Sequence, residues 1–218
     1  MPSRLTPLQE RVLAVLAPMT PRWTLTGGGA LAGFHLGHRS TRDLDLFWHG
    51  RAELGELPRE VRRLLEAAGL TTEGVQTTPA FERLRVRGSG EELIVDLVAE
   101  RVPTVSDPLE VRLGSQTVFV DSPHEILVNK LGTLLQRREL RDLVDVRALL
   151  ERDGDLEAAL RDAPRKDGGF SPLMVAWILE RFPVTELAPL SGLTAAETRE
   201  LERFKLELIA RLTRAAGA

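Results

Sequence analysis

The chain has 218 residues, with 29 basic and 32 acidic side chains, a net charge of -3 and no cysteine. That length suits one domain or two small ones with a full core, and no global basic field advertises nucleic acid, so an RNA partner would have to be met by a local patch. Disulfides and thiolate metal sites are excluded; with no signal-peptide core and no apolar run of membrane-spanning length, the expectation is a cytoplasmic protein with no membrane partner.

In chain order, Leu8, Val12, Leu13, Val15 and Leu16 recur at helical spacing over residues 7–17, and Pro18 and Pro21 end that helix. An apolar run, Trp23 to Thr26, leads into three glycines, Gly27, Gly28 and Gly29. An apolar segment of helix length then reaches Gly37, followed by Arg39, Ser40, Thr41 and Arg42. A glycine turn that opens a helix lets backbone N–H groups approach phosphate oxygens, with the positive end of the helix dipole behind them. Arg39 and Arg42 add positive charge for the same ligand.

The run DLDLF follows, with Asp43 and Asp45 two positions apart among apolar residues. On a strand such residues share a face, about 6.5 Å apart along it. Carboxylates so placed suit a hard cation such as magnesium, the ion that clamps and activates phosphoryl groups. The same pattern also reads as a hairpin edge with two solvent-facing acids, but acids within an apolar strand are costly unless paired or metal-bound.

A helix is expected over 52–68, with Arg59, Arg62 and Arg63 on its solvated face, and Gly69 stops it. Strands follow at 70–78, 81–87 and 92–98, with a glycine turn at 88–90 between the last two. Asp96 stands alone among apolar residues in ELIVDLV and needs a partner, for which Arg83 and Arg85 are candidates. A further strand pair spans 111–120 and turns at Gly114-Ser115. Ser122-Pro123-His124-Glu125 then launches a helix, and the chain becomes helical. Its signals are Lys130-Leu131, Arg137, and Arg141 to Val146, which carries Asp142 and Asp145 on one helix face. An ordinary Lys/Arg–Asp network joining two helices would use the same residues. Later helices are expected at 155–163, at 172–182 with Trp177 in the core, and after the capping box at Thr194.

The pattern GG-x-AL followed by RSTRDLDLF, with the later KL…R…RDLVD segment, resembles the AbiEii-type toxins of the polymerase-beta-like nucleotidyltransferases. The resemblance implies an α/β (α+β) fold: a small mixed sheet flanked by helices over residues 1–121, and a helical half over 122–218 that completes an active-site cleft. It also implies a magnesium-dependent nucleotidyltransferase, with manganese as a substitute, that moves an NMP from an NTP to an acceptor hydroxyl and releases pyrophosphate. The acceptor it suggests is RNA, at the tRNA 3′ end, and a cognate antitoxin is the expected partner. Asp43, Asp45 and Asp96 would hold the metal and form the catalytic set with Lys130 and Asp145. The nucleotide would lie on Gly27, Gly28, Gly29, Arg39, Ser40 and Lys130. Several resembling proteins carry serine or threonine where Gly29 stands, so backbone N–H groups would have to replace a hydroxyl. Transfer to a small molecule or a protein, and a catalytically weak nucleotide-binding module, are the alternatives.

Overall fold

A computed structural model describes residues 3–217, which fall into two compact units, one ending at Ser122 and the other beginning at Pro123.

In the first unit, seven strands form one mixed sheet. They are β1 (Thr24–Thr26), β2 (Asp43–His49), β3 (Thr71–Thr78), β4 (Phe81–Gly88), β5 (Glu91–Glu100), β6 (Leu109–Leu113) and β7 (Gln116–Val120), in the order β3-β4-β5-β2-β1-β7-β6. The β2–β5 and β1–β7 pairs are parallel and the others antiparallel. Period-2 alternation places Leu44, Leu46 and Trp48 of β2, Leu84 and Val86 of β4, and Val95 and Leu97 of β5 in the core. Helices α1 (Pro7–Leu16) and α3 (Leu57–Ala67) pack against each other and against the sheet. The opposite positions of β2 and β5 carry the acids.

α1 opens with the Thr6 capping box, in which Thr6 and Gln9 satisfy each other's backbone N–H groups. The helix expected over 52–68 begins only at Leu57. Gly55 sits at φ +57°, a left-handed conformation outside any helix, and Pro58 fits a helix only in its first turn. The turn before β5 places Ser89 at φ 54° and Gly90 at φ 80°, the paired positive values of a tight hairpin. Between β1 and β2, α2 (Gly27–Ala30) runs directly into a π-helical turn (Leu31–His35).

The second unit comprises α4 (Pro123–Gln136), α5 (Leu140–Glu151), α6 (Leu156–Lys166), α7 (Pro172–Glu180), α8 (Val184–Leu190) and α9 (Ala195–Ala216). α8 has no counterpart among the expected helices, because Pro183 and Pro189 bracket a stretch that reads as a breaker-rich loop. Trp177 is 50% exposed instead of core. α7 turns Val175, Ala176 and Leu179 inward, leaving the indole outside under the Arg181 guanidinium, 4.4 Å above its centre. No helix of the described residues is long and apolar enough to cross a membrane.

Candidate active site

At the end of β1 the extended backbone of Thr26 gives way to Gly27 at φ +61°. An L side chain there would be strained by conformation alone. It would also collide, since a Cβ on Gly27 would stand 2.7 Å from Oδ2 of Asp45. At Gly28 a Cβ would meet Nη2 of Arg39 and Oγ1 of Thr41, each at 3.0 Å. The turn therefore brings bare backbone against a carboxylate on one side and a guanidinium and a hydroxyl on the other. Gly29 differs, because its Cβ direction leads to Leu44 at 3.0 Å and Leu25 at 3.1 Å. A side chain at position 29 would begin against these leucines, whereas one at Gly28 would begin against Arg39 and Thr41.

The strands line the acids up by register. Thr26 stands opposite Asp45, Asp45 opposite Asp96, and Asp96 opposite Arg83, one row across β1, β2, β5 and β4. Asp43 lies two residues before Asp45, so it shares that face, and both are half-buried. Asp96 is buried, and its partner is Arg83. Nε donates to Oδ1 at 2.8 Å and Nη2 to Oδ2 at 2.7 Å, a bidentate charge-assisted pair. That bond raises the Arg83 pKa against the opposing effect of its partial burial, and Asp43 and Asp45 add to the rise. Arg83 thus senses all three carboxylates. Arg85 instead pairs with Glu73 at 3.0 Å and Glu92 at 3.4 Å.

Two positioning side chains escaped the sequence reading. Thr41 is buried, and its Oγ1 donates to Oδ1 of Asp43 at 2.5 Å. The Thr41 carbonyl in turn accepts from Nε2 of buried Gln9 at 3.0 Å, tying the acid-bearing loop to α1. The signal for Thr41 was a hydroxyl two residues before an aspartate; Gln9 left none, because its contact spans 32 positions. Ser40 is exposed, and its carbonyl accepts from Nη1 of Arg39 at 3.1 Å. His35, at the end of the π turn, puts Nε2 at 2.7 Å from the carbonyl oxygen of Asp121, so that nitrogen carries the proton. Burial lowers the His35 pKa although Asp121 works to raise it, and the ring pins the π turn to the end of β7.

Among the described residues, no three acidic or histidine side chains gather closely enough to hold a metal ion by themselves. Magnesium does not require such a cage. It binds through one or two carboxylates and fills its octahedron with water and substrate phosphates. Asp43 and Asp45, on one strand face beside a side-chain-free turn, fit that mode of binding.

In the second unit, Lys130 of α4 reaches two acids of α5. Its Nζ lies 2.6 Å from Oδ1 of Asp142 and 2.8 Å from Oδ2 of Asp145, with all three residues buried. Arg137 adds a bond from Nε to Oδ2 of Asp142 at 2.7 Å. For Asp142, burial acts to raise the pKa, but Arg137 and Lys130 outweigh it and hold the carboxyl below its usual range. The helical motif therefore gathers as one network, with Lys130 shared between the two acids. On α3, Arg59 pairs with Glu56, Arg63 with Glu60 and Arg62 with Glu82, so each of these arginines has an acidic partner.

Three solved structures share this fold at low identity. MenT4, a nucleotidyltransferase toxin from Mycobacterium tuberculosis, superposes with a TM-score of 0.60 at 20% identity, over 96% of this chain and 85% of its own. A putative nucleotidyltransferase from Helicobacter pylori gives 0.54 at 21%, over 98% and 96% of the two chains. JHP933, also from Helicobacter pylori, gives 0.53 at 20%, over 95% and 91%. No curated protein sequence matches the chain. The model of the nucleotidyl transferase AbiEii toxin family, of type IV toxin–antitoxin systems, matches residues 11–213. With that match spanning nearly its whole length, the chain belongs to the AbiEii family and is a nucleotidyltransferase toxin, which takes an NTP as substrate and has an antitoxin as its counterpart.

Proposed function

We propose that this toxin transfers an NMP from an NTP to a hydroxyl of RNA, with the tRNA 3′ end as acceptor, in a magnesium-dependent reaction. The observation that carries the reading is the contact between the glycine turn and the acid-bearing strand, where Asp45 lies against Gly27 and in one row with Asp96. Backbone groups for phosphate and carboxylates for a cation thereby meet at one place.

Asp43 and Asp45 would hold magnesium, joined by Asp96; when bound, the ion would supply charge neutralisation for the triphosphate. The chain's own part is positioning and electrostatics, the usual division of labour in phosphoryl transfer. Backbone N–H groups of Gly27, Gly28 and Gly29, with Arg39 and Ser40, bind the phosphates. Thr41 holds the Asp43 carboxylate in orientation through its hydroxyl. The acceptor hydroxyl gives up its proton near Asp96. Its oxygen then forms a bond to the α-phosphorus while the bridge to the β-phosphate breaks, and pyrophosphate leaves. The family resemblance adds Lys130 and Asp145 to the catalytic set; in the second unit they form a buried ion pair with each other at 2.8 Å.

The test is incubation with each of four α-labelled NTPs, magnesium and total tRNA, beside an Asp45→Ala control. Label on RNA from one preferred nucleotide, absent in the control, is the expected result. Label on protein or small molecules instead would move the acceptor to another class. No transfer by a folded protein would leave nucleotide binding alone.

A further inference from the structure

Arg83 has no part in the reaction just described, yet it stands at the end of the row Thr26–Asp45–Asp96–Arg83 and takes both oxygens of Asp96. A bidentate guanidinium takes one lone pair on each oxygen and neutralises the charge that would attract a metal ion. The Asp96 side chain is 8% exposed, whereas that of Arg83 is 42% exposed, so the arginine is the partner with room to move. The Phe81 ring, two residues away on the same strand face, already lies 5.7 Å from the guanidinium carbon, a cation–π contact.

We propose that Arg83 is a placeholder cation: it holds Asp96 in the resting protein and yields it when a metal–nucleotide complex arrives. This rests on the reading that Asp43, Asp45 and Asp96 hold the metal. In the free protein Arg83 competes for Asp96, so a divalent ion alone binds weakly. A triphosphate changes the balance, because its oxygens offer the released guanidinium new bidentate acceptors. Metal capture is thereby made conditional on nucleotide. Arg83 is a positioning residue in this scheme, acting through Asp96.

The experiment titrates Mn2+ into nucleotide-free protein and reads free Mn2+ by electron paramagnetic resonance. The proteins are wild type, Arg83→Gln, Arg83→Lys and the double variant Arg83→Gln with Asp96→Asn. Arg83→Gln should bind Mn2+ about tenfold more tightly than wild type, the scale on which one adjacent opposite charge alters proton binding by a carboxylate. Arg83→Lys, a point charge without the fork, should fall between them, and the double variant should lose the gain. Unchanged or weaker binding by Arg83→Gln with an unchanged melting temperature overturns the proposal, as does a gain that survives in the double variant. If Arg83→Gln does not fold, Arg83→Lys decides by the same criterion. In a parallel equilibrium dialysis of the preformed Mn2+–ATP complex, retention by wild type with no gain in the nucleotide-free Mn2+ titration on substitution sinks this inference alone; no retention by any of these proteins sinks the metal reading as well.

Discussion

Gly27 and Asp45 lie so close that one methyl group on the glycine would stand 2.7 Å from the carboxylate oxygen. The glycine also holds φ +61°, where an L side chain costs about 1–2 kcal/mol. Gly27→Ala must therefore either displace Asp45 or distort the turn. A shift of about 1 Å in a catalytic group can cost on the order of a hundredfold in rate. We expect NMP transfer to fall by about that factor while the fold survives. Full activity in the alanine variant would show that the turn does not need its close approach to Asp45.

Thr41 is expected to matter through Asp43 alone. Thr41→Val keeps shape and removes the hydroxyl that donates to Asp43. A hydrogen bond to a charged group is worth about 1.5–3 kcal/mol, so transfer should drop by about tenfold or more. Asp45→Asn should abolish it to below about one per cent, with little change in melting temperature because Asp45 is half-buried. Equal melting shifts and equal activities for the two variants would contradict this order.

The Lys130 network should reveal itself in stability. Lys130→Met removes the cation shared by two acids that are fully buried, a loss of about 3–5 kcal/mol. Chemical denaturation should register that loss. Arg137→Ala should cost less, about 1 kcal/mol, because the arginine side chain is 42% exposed. Comparable losses for the two variants would mean that Lys130 is not the keystone.

Acid should weaken the same network. The Asp142 carboxyl is held below the usual aspartate value of 3.8 in the folded protein. Its contribution is complete above that value and disappears as pH falls through the lower folded one, since the unfolded chain binds the proton first. Denaturation of wild type and Asp142→Asn across this range should converge below pH 3.8. A gap that stays constant with pH would show that Asp142 stabilises without its charge.

The nucleotidyltransferase family and the mixed α/β class were legible in the chain because they depend on local chemistry. Three glycines after a short apolar run dictate a turn, and the alternation of DLDLF commits Leu44 and Leu46 to one face and Asp43 and Asp45 to the other. Proline and capping residues set most helix starts, and the start at Leu57 was missed where Gly55 and Pro58 outweighed the apolar spacing. Relations between distant residues carried no such local signal. Arg83 and Arg85 are equivalent by alternation on β4, and only the register against β5 places Arg83 opposite Asp96. Gln9 meets Thr41 and His35 meets the Asp121 carbonyl for the same reason, whereas the Lys130 network with Asp142 and Asp145 was among the readings the sequence offered. Periodicity states which face a side chain occupies; only strand register and helix packing, properties of the assembled chain, decide which neighbour it meets there.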